Sequence, residues 1–155
     1  MDTLNEIARA LRALHSRLLA CGRAEYLREH PEAGEIGTGE MLILATQGAE
    51  FAWLRSLSEL MTEIDELRDD AHTANDPDLQ AAVRTAVEEL VSSHAQAATP
   101  FQERYWRFVH EDPNVAMAHA GLRQALQALP FAPAGGRRRI AQHLAANPRK
   151  SRGRK

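Results

Sequence analysis

The chain has 155 residues, 44% hydrophobic, 5% aromatic and 26% charged, with a single cysteine. That length suits one domain that buries its own core without metal or disulfide. The lone Cys21 excludes an intramolecular disulfide and fits a reducing cytoplasm, and scarce aromatics with abundant alanine favour helix packing over a sheet sandwich. The net charge of −2 hides a division: residues 1–136 hold all 21 acids and 11 of the 19 basic residues, for −10, while residues 137–155 hold the other 8 basic residues and no acid.

The opening MDTLNEIARALRALH places acids where a secretory leader needs a basic region, so no targeting segment is expected. Leu4, Ile7, Leu11, Leu14, Leu18 and Cys21 recur at helical spacing behind a Thr3/Glu6 capping-box pattern, which predicts one long helix over 4–29. His30, Pro31 and the glycines of HPEAGEIGTGE end it. That loop has neither the preceding strand nor the lysine of a phosphate-binding loop, and reads as a plain connection. A short helix is expected over 39–46. Its MLILA run is the longest apolar run in the chain, far short of the about 20 residues that cross a bilayer, so no membrane span is expected.

The stretch EFAWLRSLSELMTEIDELRDD, residues 50–70, predicts a helix with Trp53, Leu57, Leu60, Met61, Ile64 and Leu67 on its apolar face. Glu59, Glu63, Glu66 and Asp70 follow at steps of four, three and four and form an acidic stripe on another face. Like charges at such spacings destabilise an isolated helix by about 0.2–0.5 kcal/mol per pair, so the stripe reads as a solvated helix face or, alternatively, as a surface for a cationic partner. Asp76-Pro77, Thr99-Pro100 and Asp112-Pro113 each pair an N-cap residue with a proline suited to the first helical turn. They predict helices from 77 to about 95, from 100 with Phe101, Tyr105 and Phe108 inward, and from 113 with Val115, Ala118, Leu122, Ala125 and Leu129 inward. PFAPAGG then breaks the pattern. Ile140, His143 and Leu144 support one or two amphipathic turns, and residues 147–155 are too charged and small to bury.

The segment FAWLRSLSELMTEIDE, with FQERYWRFVHEDPNVAMAHAGLR downstream, resembles a family of small bacterial helical proteins whose motif reads FAWLR-P-LS before an acidic helix. The resemblance spans roughly residues 4–125 and departs at Ser56, where the motif has proline, which leaves the start of that helix open. It implies a helical fold and, with no established activity in the family, no catalytic residue.

The chemistry-bearing constellations are sparse. A di-iron bundle needs Glu-x-x-His pairs on two helices, and none occurs; nor does His-Glu-x-x-His or Cys-x-x-Cys. Asp69 and His72 read as a surface pair. His15, His94 and His119 lie on or beside the apolar faces of three helices, where a bundle would bring them together around a metal or haem, but a lone histidine there more often packs its ring and hydrogen-bonds one nitrogen. RYWRF at 104–108 alternates cations and aromatics as a nucleic-acid stacking surface does, yet helical geometry turns Tyr105 and Phe108 inward. Cys21 reads as a small buried hydrophobe rather than a nucleophile.

These readings converge on an all-α protein: an antiparallel helical bundle of five or six helices over residues 1–130 and a basic, largely flexible tail over 131–155. The expected function is non-catalytic and cytoplasmic, working through protein contacts or through tail contacts with a polyanion such as nucleic acid, with no metal or cofactor and with self-association left open. The tail cations are Arg137, Arg138, Arg139, Arg149, Lys150, Arg152, Arg154 and Lys155. The alternative is a metal- or haem-binding bundle using His15, His94 or His119.

Overall fold

In the computed structural model the described residues are 3–34, 37–93, 98–131 and 135–147. They form eight α-helices, with no strand among them: α1 (Thr3–Glu29), α2 (Thr38–Gln47), α3 (Arg55–Arg68), α4 (Ala71–Ala74), α5 (Pro77–Leu90), α6 (Pro100–Glu111), α7 (Pro113–Leu126) and α8 (Gly136–Ala146). The protein is an all-α bundle, with more helices than the five or six expected. The three N-cap signals act as read. The side chains of Asp76, Thr99 and Asp112 accept from the backbone N–H of Asp78, Gln102 and Asn114, at 2.9, 3.1 and 2.8 Å, so each helix start has donors satisfied that would otherwise be orphaned.

The long helix α1 forms the spine. Leu4, Ile7, Leu11, Leu14 and Leu18 are fully buried, and α1 packs on α7 and on α3. The aromatic face of α6 closes the core: Phe101, Tyr105 and Phe108 are buried, and the Trp53 ring lies 6.2 Å from Phe101 and 5.9 Å from Phe108. A smaller cluster joins Met41 of α2 and Phe51 to Leu19, Tyr26 and Leu27 of α1. Phe51 reaches it past Gly22, where a Cβ would stand 2.8 Å from the ring.

Four expectations change. Residues Ala49–Leu54 form a 3-10 turn and α3 begins only at Arg55, so Trp53 is buried from that turn rather than from α3. Ser56 is thus in the first turn of α3, the part of a helix where proline is tolerated, and its Oγ reaches back to the Trp53 carbonyl at 3.5 Å. Helix α5 stops at Leu90 rather than near 95, and α6 side chains satisfy carbonyls at and just beyond its end: Gln102 Nε2 donates to Glu89 O at 3.0 Å and Trp106 Nε1 to Ser92 O at 3.2 Å. Leu129, expected on α7, is buried just beyond that helix's last residue, Leu126.

The fourth change concerns the one or two amphipathic turns expected around Ile140, His143 and Leu144. Residues 136–146 are a helix that packs on α5 and on α3 and buries Ile140 completely. A glycine makes this fit. A Cβ on Gly136 would lie 2.1 Å from the Ala82 carbonyl oxygen and 2.6 Å from Ala86 N, so only glycine lets α8 sit that close to α5. Gly135 before it adopts φ 93°, a left-handed conformation natural to glycine, and its N–H donates to Glu89 Oε1 at 2.9 Å.

Candidate functional site

The acidic stripe is divided by the end of α3. Because that helix stops at Arg68, Asp70 lies outside it, in extended backbone, and caps α4 by accepting from His72 N–H at 3.1 Å. Glu59, Glu63 and Glu66 remain on α3. Arg137, the first cation of the basic segment, lies over two of them: its Nε and Nη2 donate to the two oxygens of Glu63 at 2.8 and 3.2 Å, and Nη2 stands 3.7 Å from Glu59 Oε2. This forked pairing relieves the repulsion between Glu59 and Glu63, one turn apart. Glu63 is the more buried acid of the two, its side chain 25% exposed against 69% for Glu59. Arg138 is exposed on α8 and Arg139 half-buried. Arg149, Lys150, Arg152, Arg154 and Lys155 lie outside the described residues.

The histidines proposed as ligands are held separately. His15 Nε2 is 3.1 Å from Ser58 Oγ, and burial holds its imidazole below the ordinary value. His119 Nδ1 is hydrogen-bonded to the Tyr105 hydroxyl, and burial, then the Arg123 guanidinium, hold it low as well. Burial also pushes the Tyr105 phenol upward, so it keeps its proton. The arrangement that satisfies both groups has the phenol donating to Nδ1, which puts the imidazole proton on Nε2. His94 lies outside the described residues. Among those described, no group of three His, Cys, Asp or Glu side chains is arranged to hold a metal, and no helix is long and apolar enough to cross a membrane.

Cys21 is half-buried and donates to Asp112 Oδ2 at 3.2 Å. Burial first, and then that carboxylate, push the thiol up to about 11, the reverse of what a nucleophile needs. In the RYWRF run the cations point to an acid of α1: Arg107 Nη2 lies 2.9 Å and Arg104 Nη1 3.4 Å from Glu25. With Tyr105 and Phe108 buried and both arginines held by Glu25, the run forms no alternating cation–aromatic surface, and only its half-buried Trp106 ring stays partly accessible.

A cleft between the C-terminal turn of α5, α6 and α7 was not legible in the sequence. It encloses about 300 Å³, at the lower end of the range for small-molecule sites. Its walls combine Val91, Leu126 and the half-buried Trp106 with Arg84, Glu88, His119 and Arg123. Arg84 is committed: Nε donates to Glu88 at 2.8 Å, Nη1 to the Leu129 carbonyl at 2.8 Å, and its guanidinium carbon lies 5.5 Å from the centre of the exposed Phe131 ring. The Arg123 guanidinium makes no hydrogen bond or ion pair among the described residues. The only signal in the sequence was the placement of His119 beside an apolar face, which carries no information about Arg84 or Trp106 on two other helices.

Compared with protein-family models, with curated proteins and with solved structures, the chain matches none, so the resemblance at FAWLRSLSELMTEIDE assigns no role to any residue.

Proposed function

We propose that this is a non-catalytic helical-bundle protein of the cytoplasm that works through its surfaces, its basic C-terminal segment engaging a polyanion. The observation that carries the reading is the charge division, −10 over residues 1–136 against +8 over 137–155, together with the seating of Arg137 on Glu63 and Glu59. Arg137 anchors α8 to the acidic body, and in this reading Arg138 and the five cations of 148–155 engage the external partner. A cluster of cations binds phosphates by releasing counterions, with affinity that falls steeply with salt.

The test compares the full chain with a chain ending at Asn147, using fluorescence anisotropy with a labelled single-stranded oligonucleotide across a salt series. The shorter chain keeps Ile140 and the α8 packing, whereas a cut at residue 137 would remove a buried core residue. Loss of most oligonucleotide binding and of most of the salt slope is expected. Equal affinity and slope for the two chains would refute the reading. Tight binding of polyglutamate with none of the oligonucleotide would replace nucleic acid with an acidic protein partner.

A further inference from the structure

We propose that the cleft between α5, α6 and α7 binds a small organic anion, a carboxylate on a flat apolar body, with Arg123 and His119 Nε2–H holding the charge and Trp106, Val91 and Leu126 holding the body. The inference follows from which polar groups in the cleft already have partners. The Glu88 carboxylate is neutralised by Arg84 at 2.8 Å, and Arg84 spends a further donor on the Leu129 carbonyl. The Trp106 N–H is occupied by Ser92 O, and His119 Nδ1 by the Tyr105 hydroxyl. Among the described residues, the charged and ring groups of the cleft left without a partner are the Arg123 guanidinium and His119 Nε2–H, and the side chains of Ser92, Ser93 and Gln127 line the cleft beside them. The guanidinium and the imidazole N–H are both donors, so the cleft offers hydrogen bonds to an acceptor and a charge to an anion.

The apolar part of the ligand follows from the opposite wall. The Trp106 ring packs edge-on against His119 at 5.0 Å between centroids, which sets an aromatic surface beside that donor. Val91 and Leu126, buried at 7% and 4% exposure, supply the hydrocarbon part of a wall that is otherwise polar. A volume of about 300 Å³ admits a single small ring and its acid group, and not a nucleotide or a polymer.

Benzoate is the probe, with benzyl alcohol as its uncharged counterpart and inorganic phosphate as an anion without an apolar body. The readout is the indole N–H cross-peak of Trp106 in a ¹⁵N-labelled full chain, assigned through a Trp106→Phe variant and compared with that of the buried Trp53. Benzoate should shift the Trp106 peak saturably below about 10 mM, leave Trp53 in place, and bind about fivefold or more tighter than benzyl alcohol or phosphate. Arg123→Gln, a change at an exposed side chain, should weaken benzoate by a similar factor while leaving the benzyl alcohol response unchanged. The proposal is overturned if benzoate produces no saturable shift, if benzyl alcohol or phosphate binds equally well, or if Arg123→Gln leaves benzoate affinity as it was.

Discussion

At the scale of single residues, the folded chain disfavours protonation of two imidazoles. Burial lowers His15, and burial with the nearby Arg123 lowers His119, from the ordinary 6.5. The unfolded chain then binds more protons than the folded one as pH falls through that value, so these residues contribute stability above it and lose that contribution below. Melting temperature should therefore fall between about pH 7.5 and about pH 5.5, and a His15→Gln, His119→Gln double variant should show a flatter profile. A parent-like slope in the double variant would assign the effect elsewhere. The half-buried Asp112, held low by its bonds from Cys21 and the Asn114 N–H, loses its contribution only in the more acidic carboxylate range, which keeps the two windows apart.

At the scale of helices, two residues test how the elements meet. Trp53 is buried to 7% against Phe101 and Phe108, with the Arg104 guanidinium 5.6 Å from its ring centre. Trp53→Ala should cost about 3–5 kcal/mol in denaturant unfolding, and a cost below about 1 kcal/mol would place the ring at the surface. Gly136 tests whether α8 belongs to the body. Its substitution by alanine would force a methyl group into the α5 backbone and should cost about 1–3 kcal/mol. The same change at Gly121, where a Cβ meets nothing within 4 Å, should stabilise the helix slightly. Equal effects at the two glycines would mean that α8 is not seated on α5.

At the scale of the molecule, the two halves of the charge meet where Arg137 pairs with Glu63 and Glu59. The contact is half-exposed, so its strength lies toward the low range of surface pairs, about 0–1 kcal/mol, and salt screens it over about 8 Å. Replacing both Glu59 and Glu63 with Gln should free Arg137 for the polyanion and raise oligonucleotide affinity up to a few fold at low salt, converging with the parent as salt rises. The same affinity in parent and variant at every salt concentration would leave the stripe as a solvated helix face with an ion pair upon it.

What the sequence determined by itself was local. The all-α class and the starts of α5, α6 and α7 were legible because a cap and its proline act within one turn, and the inward residues of α1 because 3.6-residue periodicity selects a face regardless of the rest of the chain. The charge division needed only counting. Tertiary structure decided whatever depended on a distant partner: that Cys21 meets an acid 91 residues away, that Arg137 meets Glu63 across 74, and that α8 docks at all. Gly136 was read as part of a break because glycine weakens an isolated helix, but against α5 the missing Cβ is what permits contact. The cleft was hidden for the same reason: three helices supply its walls, and no periodicity along one helix encodes which side chains another will bring opposite it.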